Sequence, residues 1–178
     1  MSLKELTKEK HTAAESTPFM KAVFKKKMPI SVWRQFTFQK HAFYKIIESK
    51  CRRKSLLGGI EGIERGLLLY EDYISMPKTG PLFITESTKA YMAYLDKLDD
   101  PDRLLAHLYV WHMGDLFGGQ MIKEIVDAPS SALNFDNPDE LKAGMRLKLK
   151  DEMADEANAA FDWAIKIMTD FDDQLTVQ

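Results

Sequence analysis

Thiols are almost missing from this chain. Of its 178 residues only Cys51 carries one, so no internal disulfide can form, and such usage fits a reducing, cytoplasmic setting. Long apolar runs are missing as well, since no stretch approaches the roughly 20 residues that a membrane-spanning helix needs. The opening Met1-Ser2-Leu3-Lys4-Glu5 has no signal-peptide core, and the closing Asp173-Gln174-Leu175-Thr176-Val177-Gln178 has no anchor. Neither sign of charge dominates. A formal −2 offers no general attraction to nucleic acid or to a membrane surface. With 45% hydrophobic and 29% charged residues, the chain is expected to form one globular domain over 1–178, with a monomer as the default state.

Catalytic signatures are also sparse. A di-iron carboxylate bundle needs Glu-x-x-His pairs, but the residues three before His11, His41, His107 and His112 are Lys8, Phe38, Leu104 and Tyr109. No cysteine- or histidine-rich zinc spacing occurs, and no local motif marks a serine or cysteine nucleophile. The Gly-x-Gly-x-x-Gly fingerprint is absent, so no intrinsic flavin or NAD(P) is expected and electrons must come from outside. Cys51 precedes Arg52, Arg53 and Lys54, cations that favour a thiolate, although a solvated basic face is the plainer account.

What is present is helical periodicity, with no alternating strand pattern and no repeat. Ser2-x-x-Glu5 has the spacing of a capping box, and Leu3, Thr7, His11 and Ala14 share one side of the helix it opens. Pro18 ends or bends that helix, and Lys25-Lys26-Lys27 reads as a basic bend. Ser31 to Lys54 contains neither glycine nor proline. Val32, Trp33, Phe36, Ala42, Phe43, Ile46 and Ile47 make it a long amphipathic helix, with Tyr44 and His41 near the apolar side and Gly58-Gly59 as its end. Further helices are expected over about Ile63 to Ile74, after a Ser87 cap, and from Asp100-Pro101 to about Val126. A polar loop then runs to Asn137, and Asn137-Pro138 starts the next helix. The fold class is therefore all-α.

The helix from Pro101 runs through Gly114, Gly118 and Gly119. Each glycine costs about 1 kcal/mol against alanine in a helix interior. Gly114 and Gly118 are four apart, so they bare one face, on which something broad and flat can lie almost against the backbone. The same glycines let the helix bend. Asp115 sits beside that face. Near the N-terminus, His11 can ligate one metal axially while Glu15, four residues on, accepts its other ring proton. Iron held by one protein ligand needs a macrocycle for its remaining positions, which points to haem, and haem propionates need cations such as Lys4, Lys142 and Arg146. Taken singly, each feature has a plain alternative: close helix packing, a surface histidine, solvated helix charges.

Leu3 to Glu15 followed by Phe19-Met20 resembles the proximal helix of the haem oxygenases. Gly114-Asp115-Leu116-x-Gly118-Gly119-Gln120, preceded by Ala106-His107-x-Tyr109, resembles that family's distal helix. Lys142, Arg146 and then Asp155-Glu156-Ala157-Asn158-x-Ala160-Phe161 resemble the C-terminal helices of its anchorless bacterial and plastid-type members. The resemblance implies a helical bundle with haem b, both substrate and prosthetic group, between a proximal helix and a kinked distal helix. His11 would be the iron ligand and Glu15 its partner. Lys4, Tyr109, Lys142 and Arg146 would hold the propionates, and Met20 and Phe161 would pack on the macrocycle. Gly114, Gly118 and Gly119 would line the distal side, where Asp115 would order a water and Tyr44 would extend its hydrogen bonds.

The implied activity is oxidative opening of haem to biliverdin, by the usual cut at the α bridge, with release of CO and ferrous iron. The implied donor is an acidic, ferredoxin-like protein meeting a rim of Lys8, Lys123, Lys142, Arg146 and Lys148, with a bilin reductase as a downstream partner. The chain departs from the pattern at Phe117, where a small polar residue is common, and at Trp111, where an arginine is often found. The second change removes a cation from near the pocket. Ala164 replaces a polar residue, and the link from Arg146 to Phe161 is short. Competing expectations are a haem carrier that does not open the ring, a thiaminase-like enzyme of the same architecture, and a helical interaction module.

Overall fold

A computed structural model of the protein describes residues 1–175; Thr176, Val177 and Gln178 of the C-terminal segment lie outside them. Among the described residues every regular element is helical.

The chain opens with α1 (Leu3–Leu6), which has the expected capping box: Ser2 and Glu5 satisfy each other's backbone N–H groups. Thr7 interrupts the run, and α2 (Lys8–Glu15) comes next. Leu3, Thr7 and Ala14 are buried as the periodicity predicts, but His11 is exposed. Pro18 is the first residue of α3 (Pro18–Phe24), capped by Thr17.

The central element is α4 (Ile30–Arg53), 24 residues long. It packs against α5 (Gly66–Ser75), α6 (Glu86–Lys97) and α7 (Pro101–Leu108). Its end corrects the expectation of a stop at Gly58-Gly59. Ser55 takes the left-handed conformation, φ 57°, and the N–H groups of Ser55 and Leu56 return to the carbonyls of Arg52 and Cys51. The chain closes the helix in a Schellman motif three residues before the glycines. Lys26 does the same after α3, with Lys26 and Lys27 donating to Val23 and Ala22, so the basic bend is a helix stop. Cys51 lies on the inner face, and burial pushes its thiol up to about 12, which rules out a thiolate.

Two starts also differ from the sequence expectation. α5 begins at Gly66 rather than Ile63, because Glu48 of α4 accepts the Arg65 and Gly66 N–H groups and fixes the first turn there. α6 is capped by Thr85, not Ser87; the Ser87 hydroxyl and N–H go to Asp170 instead. The polar loop after residue 126 contains a 3-10 turn, Ser131–Leu133. Asp72 pins it by accepting from the N–H groups of Ser131 and Ala132, which buries Ala132 and Leu133. The C-terminal layer is α8 (Gly114–Phe117), α9 (Gly119–Ile125), α10 (Pro138–Lys148), α11 (Ala154–Thr169) and α12 (Asp172–Leu175). α11 carries α2 on one side and packs on α7.

Candidate functional site

The expected glycine-bearing helix is present, from the Asp100 cap to Ile125, but it is not uniform. Between α7 and α8 the backbone widens into a π-helical segment, Tyr109–Met113, and at Gly118 the helix breaks before α9. Such segments insert an extra residue into the helical ladder and re-aim the turns beyond it, and they concentrate at functional sites. Gly114 therefore leads the next short helix with its face exposed, and a Cβ built there meets nothing within 4 Å. Gly118 is closer-packed, with a Cβ 3.3 Å from the Gly114 carbonyl oxygen. Gly119 faces inward, where a Cβ would stand 2.8 Å from Leu133 Cδ2. Its place in the structure is a packing contact rather than the open face.

Asp115 is turned away from solvent, with its side chain 10% exposed. Tyr44 Oη donates to Asp115 Oδ2 at 2.7 Å, the hydrogen bond the resemblance anticipates. Lys40 Nζ donates to Oδ1 at 2.6 Å, a contact that neither spacing nor resemblance anticipates. Both residues come from α4, one turn apart. Burial first, and then the Asp115 charge beside it, push the Tyr44 phenol far above its ordinary value, so it remains a proton-bearing donor.

One turn further along α4, Glu48 Oε1 accepts from His112 Nε2 at 2.8 Å, and the His112 ring stacks on Tyr44 with centroids 4.2 Å apart. Burial works to raise the Glu48 carboxyl, but His112 and the backbone N–H groups of Arg65 and Gly66 outweigh it, leaving a net lowering. His112 and Asp115 are three apart on the distal side; Lys40, Tyr44 and Glu48 are four apart on α4. Two carboxylates thus tie the distal segment to the central helix. The sequence held the signal for Lys40: Phe36, Lys40, Tyr44 and Glu48 form a stripe of period four on the buried side of α4, where a lysine needs a partner.

Trp111, at the position where an arginine is often found, joins another buried chain. Its Nε1 donates to Tyr91 Oη at 3.1 Å, Tyr91 Oη meets His107 Nδ1 at 2.6 Å, and His107 Nε2 meets Glu156 Oε1 at 2.8 Å. Tyr94 and Arg103 also donate to Glu156. The burial of Glu156 works against its charge, but these donors prevail and hold its carboxyl at about 2.

On the proximal side, His11 and Glu15 are both half-exposed. The nitrogen turned to Glu15 is Nε2, at 3.5 Å from Oε1, a loose ion-pair separation rather than a hydrogen bond. The His11 ring meets Phe161 of α11 edge-on, centroids 5.7 Å apart. Lys4 and Arg146 are exposed, and Met20, Tyr109 and Phe161 are half-buried. Lys142 Nζ lies 4.9 Å from the centroid of the Phe117 ring, and Phe117 is itself 55% exposed, as Met121 is at 52%. α2 and the π-helical segment both pack on α11, and α3 touches α9, so the elements bearing His11, Glu15, Met20, Tyr109 and Phe161 are neighbours. His41 is turned to the start of α5, where its Nδ1 meets the Gly66 carbonyl at 2.8 Å.

A family model described as heme oxygenase matches residues 1–170. Heme oxygenase 2 of Oryctolagus cuniculus is 26% identical over 203 aligned residues, covering 96% of this chain and 65% of that protein. Heme oxygenase 1 of Bos taurus is 31% identical over 147 aligned residues, covering 73% of this chain and 50% of its own length. The chain thus spans just under two thirds of the length of the curated relatives it matches first. Among solved structures, heme oxygenase-1 of the cyanobacterium Synechocystis in complex with heme superimposes with a TM-score of 0.85 at 22% identity, covering 98% of this chain and 92% of that one. Heme oxygenase from Leptospira interrogans gives 0.82 at 23% identity, over 95% and 99% of the two chains.

Proposed function

The chain belongs to the haem oxygenase family, and from that premise we propose that it binds haem and opens it to biliverdin IXα, releasing CO and ferrous iron with oxygen and external electrons. The observation that carries this reading is the Asp115 carboxylate, buried and held at both oxygens, beside a glycine whose missing Cβ leaves open space. The residues present fit haem: an exposed histidine, an open glycine face, the exposed apolar Phe117 and Met121, and cations at Lys4, Lys142 and Arg146. Haem, when bound, supplies the iron that takes up oxygen and the macrocycle that is opened.

The protein's own groups do the rest. His11 would ligate the iron, with Glu15 accepting from the other ring nitrogen and fixing the imidazole's orientation. Gly114 and Gly118 let the macrocycle approach the backbone. Met20 and Phe161 would pack on it, and Lys4, Tyr109, Lys142 and Arg146 would hold its propionates. Asp115 accepts from Lys40 and Tyr44 and keeps lone pairs for a water on the Gly114 side, so it orders that water and passes protons through it. Neither oxygen is free to swing away. The basic residues Lys8, Lys123, Lys142, Arg146 and Lys148 would receive an acidic, ferredoxin-like donor, a bilin reductase would take the product, and the working unit would be a monomer.

The test is to add haemin to the purified protein, then ferredoxin, its reductase and NADPH, and to record spectra. A Soret band that decays as a broad red biliverdin absorption grows, and that is lost in His11→Ala, is the expected result. A Soret band that persists under reductant would leave a haem carrier. No Soret band at all would defeat the reading.

A further inference from the structure

We propose that Lys40 is a positioning residue for the distal carboxylate. From α4 it holds one Asp115 oxygen while Tyr44 holds the other, and so fixes the orientation of the carboxylate. This inference rests on the haem reading of the site.

A lysine on the buried face of a helix is expensive to keep. Lys40 lies along the stripe with Phe36 and Tyr44, its side chain 11% exposed, where a methionine would fill the same space without desolvating a charge. Replacing both members of a buried ion pair by apolar groups is often neutral or stabilising, so fold stability alone does not account for keeping the Lys40–Asp115 pair. What Lys40 adds is specific to Asp115. Its Nζ binds Oδ1 at 2.6 Å while Tyr44 occupies Oδ2, so the carboxylate cannot rotate about its Cβ–Cγ bond without breaking a charge-assisted hydrogen bond.

The other charged groups nearby are already committed. His112 is held by Glu48, and the Arg65 guanidinium donates to the carbonyls of Glu64, Asn134 and Gly62, reaching Asp115 only through its field. Among the described residues, Lys40 is the cation within hydrogen-bond distance of Asp115.

The experiment loads wild type, Lys40→Met, Lys40→Gln and Lys40→Arg with haemin. It reads three quantities: the Soret band, the pH midpoint of the ferric acid–alkaline transition in the visible spectrum, and the melting temperature. Lys40→Met and Lys40→Gln should still bind haemin, but should melt below wild type, because each leaves the buried Asp115 carboxylate without its cation. Their transition midpoint should rise by about half a pH unit or more, because hydroxide would form near one fewer positive charge. Lys40→Arg should restore the wild-type midpoint. A purely structural lysine would move the melting temperature and leave the midpoint alone. An unchanged midpoint in both neutral variants would overturn the proposal, as would a shifted midpoint in Lys40→Arg equal to theirs. Failure of wild type itself to give a Soret band would instead overturn the haem reading.

Discussion

Gly114 and Gly144 look alike in the sequence, and the structure gives them opposite reasons to exist. At Gly114 the backbone is ordinary right-handed helix, φ −59° and ψ −45°, and an added Cβ meets nothing. Stability therefore does not require glycine there, and alanine should gain up to about 1 kcal/mol of helix propensity. If the open space belongs to a flat ligand, the same methyl group intrudes on it. Gly114→Ala should thus melt at or slightly above the wild-type temperature while binding haemin several-fold more weakly, measured by thermal melts and Soret titration on one preparation. A destabilised variant with unchanged haemin affinity would make Gly114 a packing residue. Asp115→Ala gives the complementary case. It leaves Lys40 buried without its carboxylate, so a loss of stability of roughly 3 kcal/mol is expected in denaturant melts. Ring opening should fall at the same time, and a rate equal to wild type would remove Asp115 from the chemistry.

At the scale of elements, the helix ends are where sequence and structure agree and part. Two caps made by neighbouring side chains are legible, Ser2-x-x-Glu5 and Asp100-Pro101, which carry their own hydrogen-bond partners within one turn, whereas the α6 cap falls to Thr85 rather than the expected Ser87. The ends of α3 and α4 are not legible, since the left-handed positions fall to Lys26 and Ser55 rather than to glycine. Glycine is instead used where two elements touch. A Cβ on Gly144 of α10 would lie 1.9 Å from the Gly59 carbonyl oxygen, so Gly58-Gly59, expected as a helix stop, form the loop that seats α10. Gly144→Ala must displace backbone on one side of that contact. A loss of about 2 kcal/mol or more in urea unfolding is expected, and a neutral result would mean the loop yields freely. The candidate site shows the same division. The His11 and Gly114 elements could be read from local spacing and resemblance, and so could Tyr44 beside Asp115. Lys40 is legible only as a lysine on the buried stripe of α4, not as the partner of Asp115, because that partner is 75 residues away and periodicity reports a face, not what the face meets. The π-helical segment left no mark in the spacing either, since one extra residue in a turn is smaller than the tolerance of a helical pattern.

Across the whole molecule the charges fall into two sets with different responses to solution conditions. The first is the basic set of Lys8 and Arg146, which are exposed, with Lys123, Lys142 and Lys148, which are half-buried; their charged ends are open to screening. If it receives an acidic donor, turnover driven by reduced ferredoxin should fall several-fold between about 20 and 300 mM salt, while haemin affinity changes little. Salt-independent turnover would place the donor elsewhere.

The second set is internal and ties helices together. Glu156 of α11 gathers Tyr94 of α6 with Arg103 and His107 of α7, so one carboxylate joins three helices. Its carboxyl is held at about 2 in the folded protein against an ordinary 4.5, the donors overcoming the cost of burial. A carboxylate with a depressed folded value stabilises the fold above its unfolded value and loses that contribution as pH falls toward the folded one. Here the window runs from about 4.5 down to about 2, and the contribution at neutral pH is favourable. Glu48 acts in the same direction, since its carboxyl is also lowered. Wild type should therefore lose stability steeply on acidification through that window. Glu156→Gln should start less stable at pH 7 and show a flatter acid limb, so that the two curves converge near pH 2. Parallel curves in urea melts between pH 7 and 2.5 would mean that Glu156 titrates as it does in the unfolded chain, and that the three helices are held by packing without it.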